Sequence, residues 1–131
     1  MKILIITQYY PPEIGAAASR WGDYVSIMTQ RGYNLTVVCE APNYPNGQYY
    51  TGYKNKLQDV EFKSNNLNII RTMAFATNRK SKIKKLLHYF TFMFSGALLS
   101  IRLKNFDLVI VSSPPLFVGI IGLIYSKIHS K

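Results

Sequence analysis

The chain has 131 residues, 48% of them hydrophobic, with ten tyrosines and seven phenylalanines. That is enough for one packed domain with a single core, and it excludes both two full domains and an unstructured chain. Sixteen Lys and Arg against six Asp and Glu give a formal net charge of +10, which favours anionic partners such as nucleic acid, acidic lipid or phosphorylated small molecules.

Lys2 to Thr7 is a continuous apolar run, the pattern of a strand buried on both faces of a parallel sheet. It is too short for the core of a secretory signal. The next stretch, QYYPPEIGAAASRW over residues 8–21, ends the strand at Pro11 and Pro12. Gly15 and the alanines after it let a helix begin with its backbone N–H groups uncovered, an end that attracts phosphate. A tight strand-to-helix connection, with alanines serving packing, accounts for the same residues. The fingerprint G-x-G-x-x-G is missing, so NAD or FAD is not expected and no cofactor is assigned.

Ala16 to Arg31 carries Ala17, Trp21, Tyr24, Val25 and Met28 at helical spacing before the stop signal Gly32. Leu35 to Cys39 reads as a second buried strand, so the chain opens β-α-β with a right-handed crossover. Cys39 is the only cysteine. With no disulfide partner and no zinc-spaced cluster, a cytoplasmic setting is expected, no metal is assigned, and the sequon at Asn34 carries no meaning.

Residues 41–58 hold two prolines, two glycines and four tyrosines without periodicity, the mark of a long and therefore functional loop. Asp59 to Lys63 and Leu67 to Thr72 read as short strands about a turn at Ser64–Asn66. From Ser81 to Lys104 the helical period returns. Its core face is expected at Ile83, Leu86, Leu87, Phe90, Phe94, Ala97, Leu98 and Ile101, with Tyr89, Phe92, Leu99 and Leu103 on the other side. Asp107 to Ser112 reads as a buried strand and Leu116 to Ile128 as an apolar helix, with Ser113 placed to cap it and Pro114 or Pro115 at its first turn. No apolar run reaches the length of a spanning helix. The result is an α/β, Rossmann-like parallel sheet flanked by helices. Its strands end at Thr7, Cys39 and Ser112, and loops 8–15, 40–58 and 112–115 are expected on one ligand-binding rim.

Several pieces together, KILIITQYYPPEIGAAASR, RGYNLTVVCEAPNYPNG, Gly52-Tyr53, IIRT and DLVIVSSPPLFVG, resemble the amino-terminal part of family four, GT-B fold retaining glycosyltransferases of the bacterial O-antigen and capsule type. The resemblance runs in order over nearly the whole chain. It implies a single, incomplete acceptor-side lobe over residues 1–131, with the donor-binding lobe left to a further segment or a partner chain, and a sheet edge left unpaired near Asp107 to Ser112.

By position, the resemblance implies that Gly15 and Ala16 approach the diphosphate of a nucleotide-sugar, with Arg20 one turn along. Arg20 is equally suited to an ion pair with Glu13 or Asp23. The resemblance places Glu13, Asn43 and Tyr44, with Pro45, Asn46 and Gly47, on the acceptor side, where tyrosine faces suit sugar rings. A rigid aromatic turn is the alternative there. Ser112 and Ser113 are secondary acceptor-side candidates. No Ser, His and Asp stand in a nucleophile arrangement; no catalytic residue is assigned, and His88 and His129 are read as packing or surface residues.

Between Glu61 and Asp107 there is no acidic residue. Lys80, Lys82, Lys84 and Lys85, with Tyr89, Phe92 and Leu99, are expected to dock on an anionic membrane surface, or else to pack on another lobe or helix. The resemblance implies a polyprenyl-linked or polysaccharide acceptor and a peripheral place on the inner face of the cell membrane. Nucleic acid is the rival from another class. No zinc spacing, helix-turn-helix or RRM pattern supports it. A non-catalytic membrane-surface or nucleic-acid-binding module is the alternative to the enzyme reading.

Overall fold

The computed structural model describes residues 1–113 and 115–129. In chain order they form β1 (Lys2–Ile6), α1 (Ala16–Gln30), β2 (Asn34–Glu40), β3 (Asp59–Ser64), β4 (Leu67–Thr72), α2 (Lys82–Ser100), β5 (Leu108–Val111) and α3 (Leu116–His129). The five strands make one sheet in the order β3-β4-β2-β1-β5. β1 runs parallel to β2 and to β5, β2 runs parallel to β4, and β3 alone is antiparallel, to β4. This is an α/β fold with a mostly parallel open sheet flanked by helices, compatible with a Rossmann-like arrangement.

The apolar run of β1 explains the layering. Alternate side chains point to opposite faces. Leu4 and Ile6 join Val38, Ile70, Phe92, Val118 and Ile121 on the face covered by α2 and α3. Ile3 and Ile5 join Val37, Cys39, Ile69 and Val25 on the face covered by α1. The two outer strands differ. β3 carries Asp59, Glu61 and Lys63 and a register irregularity between Phe62 and Ser64, whereas β5 reads LVIV without a charge.

α2 turns the other way from the sequence expectation. Phe92 and Leu99, assigned to membrane docking, are buried in the core, together with His88, Ser95, Gly96 and Ser100. Ile83, Leu86, Leu87, Phe90 and Phe94, assigned to the core, are exposed. Leu103 packs against the core beyond the helix, which ends at Ser100 rather than at Lys104.

The physical reason is that both faces are apolar, so periodicity does not choose between them. The inward face carries polar atoms that meet the backbone leaving β4: Ser95 Oγ donates to the Met73 carbonyl, and the Phe75 N–H donates to Thr91 Oγ1 at 2.8 Å. The other helices depart less from expectation. Tyr24 of α1 is exposed. α3 begins at Leu116, with the Val118 N–H bonded to the Pro115 carbonyl at 3.1 Å, so Ser113 is not its cap. Pro114 lies outside the described residues.

Because β4 runs parallel to β2, the sheet delivers four loops to its carboxyl edge rather than three. The extra one, residues 73–81, follows Thr72.

Candidate ligand-binding site

At that edge α1 starts without a capping side chain. Its N-cap, Gly15, has φ 146° and ψ 158°, a conformation that only glycine adopts without strain. The first-turn N–H groups therefore meet no competing side-chain oxygen, and the positive end of the helix dipole lies open. A cavity of about 300 Å³ forms there, lined by Gly15, Ala16, Tyr44, Arg79, Lys85 and Tyr89 among others. Two cations and a helix start facing one hollow suit an anion.

A second cavity, of about 560 Å³, is lined by Asn43, Tyr44, Asn46, Tyr49, Tyr50 and Tyr53 among others. Its aromatic walls are pinned by their hydroxyls. Tyr50 donates to the Tyr44 carbonyl at 2.6 Å and accepts the Ile14 N–H at 3.2 Å. Tyr49 donates to the Ala74 carbonyl at 2.7 Å. Ring faces held this way, beside the exposed amide of Asn46, match what a sugar ring presents, apolar C–H patches edged by hydroxyls. Tyr44 and Ile14 line both cavities.

Beneath the cavities lies a buried polar cluster. Glu13 Oε1 accepts the N–H groups of Asn43 at 3.0 Å and Tyr44 at 2.9 Å, while its buried Oε2 has no hydrogen-bond partner. Burial, and then the nearby Glu40 carboxylate, push Glu13 up to about 8, so it is largely protonated at neutral pH. Glu40 is fully buried. It accepts from Gln8 Nε2 at 3.0 Å and from Asn43 Nδ2 at 3.1 Å, and lies 3.7 Å from Arg79 Nη2 and 3.3 Å from His88 Nε2.

Arg79 has φ 62° and projects its guanidinium between two rings, 5.0 Å from the centre of Tyr44 and 5.6 Å from that of Tyr9. It donates to Asn43 Oδ1 at 3.2 Å and to the Thr77 carbonyl at 3.0 Å. His88 Nδ1 lies 2.5 Å from the Phe75 carbonyl and Nε2 lies 3.0 Å from Arg79 Nη2. A carbonyl demands a donor and a guanidinium only donates. Nδ1 therefore carries a proton, while Nε2 stands between the Arg79 guanidinium and the Glu40 carboxylate 3.3 Å away.

The structure brings together Gly15, Ala16, Asn43 and Tyr44, as the sequence expected. It adds Lys85 and Tyr89, which had been assigned to the membrane. Glu13 is at the site but underneath it, holding the loop rather than facing a ligand. Arg20 is exposed, lines neither cavity and makes no ion pair with Glu13 or Asp23. Ser112 Oγ accepts the Trp21 Nε1–H at 3.0 Å, and neither Ser112 nor Ser113 lines either cavity. Lys80, Lys82 and Lys84 are exposed on the outside of the fold.

His88 is the largest departure from expectation, being fully buried at the ligand edge. His129 instead ties α3 to the end of α2, its Nε2 lying 3.1 Å from the Ile101 carbonyl. Sequence reasoning missed Glu40, Arg79 and His88. The signal that locates them is the parallel direction of β4, which brings loop 73–81 to the same rim.

The Cys39 thiol is buried and pushed up to about 12, chiefly by burial, so it is no nucleophile. Among the described residues no group of three or more His, Cys, Asp or Glu is placed to hold a metal ion, and no helix is long and apolar enough to cross a membrane. The chain matches no protein-family model and no curated protein.

Proposed function

We propose that this chain is the acceptor-side lobe of a sugar-transferring enzyme, of the family four, GT-B fold retaining type that its motifs resemble. One observation carries the reading: an anion-favouring hollow and a tyrosine-walled hollow meet at one sheet edge and share the Tyr44 ring. In this reading the diphosphate of a nucleotide-sugar, presented by a donor-binding lobe, comes to the N–H groups after Gly15. Arg79 and Lys85 offset its charge. The saccharide of the acceptor lies on the tyrosine faces, beside the exposed amide of Asn46.

Retaining transfer on one face of the donor sugar asks no nucleophile of this lobe, so its part is to bind, orient and stabilise charge. The acceptor is a lipid-linked sugar or a polysaccharide of the cell surface, and the place of work is the cytoplasmic face of the membrane. By itself the lobe does not transfer sugar, because the groups that hold the nucleotide belong to the other lobe.

The test is co-expression with the proteins encoded beside it, followed by measurement of labelled sugar passing from nucleotide-sugars to a membrane extract. Transfer that needs both this chain and a donor-binding protein, and that is lost in Gly15→Val, supports the reading. Transfer unaffected by omitting this chain, together with no binding of inorganic pyrophosphate by the chain, overturns it.

A further inference from the structure

The outward side of α2 is the most unusual surface of the molecule. Ile83 is 80% exposed, Phe94 60%, Leu86 55% and Phe90 50%. With Leu87 they form one stripe, because positions 83, 87, 90 and 94 recur at helical spacing. From Ile83 to Phe94 the stripe runs about 16 Å along the helix axis. Met73 and Phe75, also exposed, extend it sideways, since the Phe75 backbone is bonded to Thr91 of α2.

Lysines frame this stripe in a defined way. Lys82 and Lys84 project roughly 100° to either side of Ile83, and Lys80 lies just ahead of the helix. All three are exposed. No acid offsets them between Glu61 and Asp107. α3 also exposes apolar side chains, including Leu116 and Leu123, but its only lysine is Lys127. Apolar area alone would suit many partners. Apolar area edged by uncompensated cations, on a helix lying flat against the sheet, suits a surface that is apolar within and anionic above.

We infer that α2 is the docking surface of this chain for an anionic lipid bilayer, with Ile83, Leu86, Phe90 and Phe94 entering the acyl boundary and Lys80, Lys82 and Lys84 meeting the headgroups. The bound residues are thus the opposite face from the one that periodicity alone suggested. Docked this way, α2 lies along the bilayer plane. Lys85 and Tyr89, on its inner side, line the anion-favouring cavity, which places that cavity one helix thickness from the headgroups. The inference does not rest on sugar transfer and holds for any ligand of that cavity.

The full chain is sedimented with vesicles of phosphatidylcholine alone and of phosphatidylcholine with phosphatidylglycerol. Binding is expected to the anionic vesicles and to fall about fivefold for each of Lys82→Gln and Lys84→Gln. Replacing Phe90 and Phe94 together by Ser is expected to weaken it about tenfold or more, with far-ultraviolet circular dichroism and Trp21 emission unchanged. A Phe90→Trp variant is expected to shift its emission to the blue on adding anionic vesicles.

Equal binding to both vesicle types, or no emission shift, overturns the inference. So does self-association without lipid that the Phe90 and Phe94 replacements abolish, because the face is then an interface between two copies. Failure of the transfer assay above leaves these readouts untouched, so the two readings fail separately.

Discussion

The Tyr44 N–H donates to Glu13 Oε1 at 2.9 Å, so the residue shared by both cavities is positioned by a carboxyl group buried beneath it. Burial, followed by the Glu40 charge, raises Glu13 from its ordinary 4.5 to about 8. The folded chain therefore keeps a proton that the unfolded chain releases between those values. Its contribution to stability is full below about pH 4.5 and is lost as pH rises toward about 8. The steepest slope is about 1.4 kcal/mol per pH unit. Urea unfolding across this window is expected to show the decline. Glu13→Gln, which keeps an acceptor for both N–H groups and cannot ionise, is expected to flatten it.

Arg79→Met removes the cation beside a fully buried Glu40 and the donor to Asn43 Oδ1. A buried charge left without its partner typically costs about 3 kcal/mol. Equilibrium denaturation is expected to show a loss of that order, and titration with inorganic pyrophosphate a weakening of at least about tenfold, for one lost charge-assisted contact. A stability close to that of the parent would show that Glu40 is neutralised in another way.

Gly47 has φ 71°, and a Cβ there would run into the backbone of Thr77 and Asn78. It is the point where the tyrosine loop closes on the loop that carries Arg79. Gly47→Ala is expected to lower stability by about 1–3 kcal/mol. Amide spectra should change at residues 43–50 and 77–79 and stay as they are in α1.

Ser112 Oγ accepts the indole N–H of Trp21 and lines neither cavity. Ser112→Ala is expected to cost about 1 kcal/mol, and to alter the emission of Trp21, the single tryptophan. Pyrophosphate binding should be unchanged. A binding defect with normal stability would return Ser112 to the site.

β1, β2 and β5 were legible from sequence because each is a short apolar run between turn residues, and a parallel strand has little else to be. Gly15 was legible for a similar reason: a glycine followed by alanines after two prolines leaves few conformations. The orientation of α2 was not legible. Phe90 and Phe92 stand two positions apart and are equally apolar, yet one is 50% exposed and the other fully buried. What separates them is the backbone at Met73 and Phe75, whose hydrogen bonds are taken up by Ser95, Thr91 and His88, and no periodicity within the helix records that demand. The buried cluster was hidden for a related cause. Glu40, Arg79 and His88 come from three separate segments and meet only because β4 lies beside β2 in the same direction.

The two borders of the sheet are unlike. On the β3 side, charged residues and a kink guard the rim against an intruding chain; on the β5 side, the outer strand is four uncharged residues without those guards. Of the two borders, the β5 side is therefore the one suited to pairing with another strand, and the β3 side the one guarded against it.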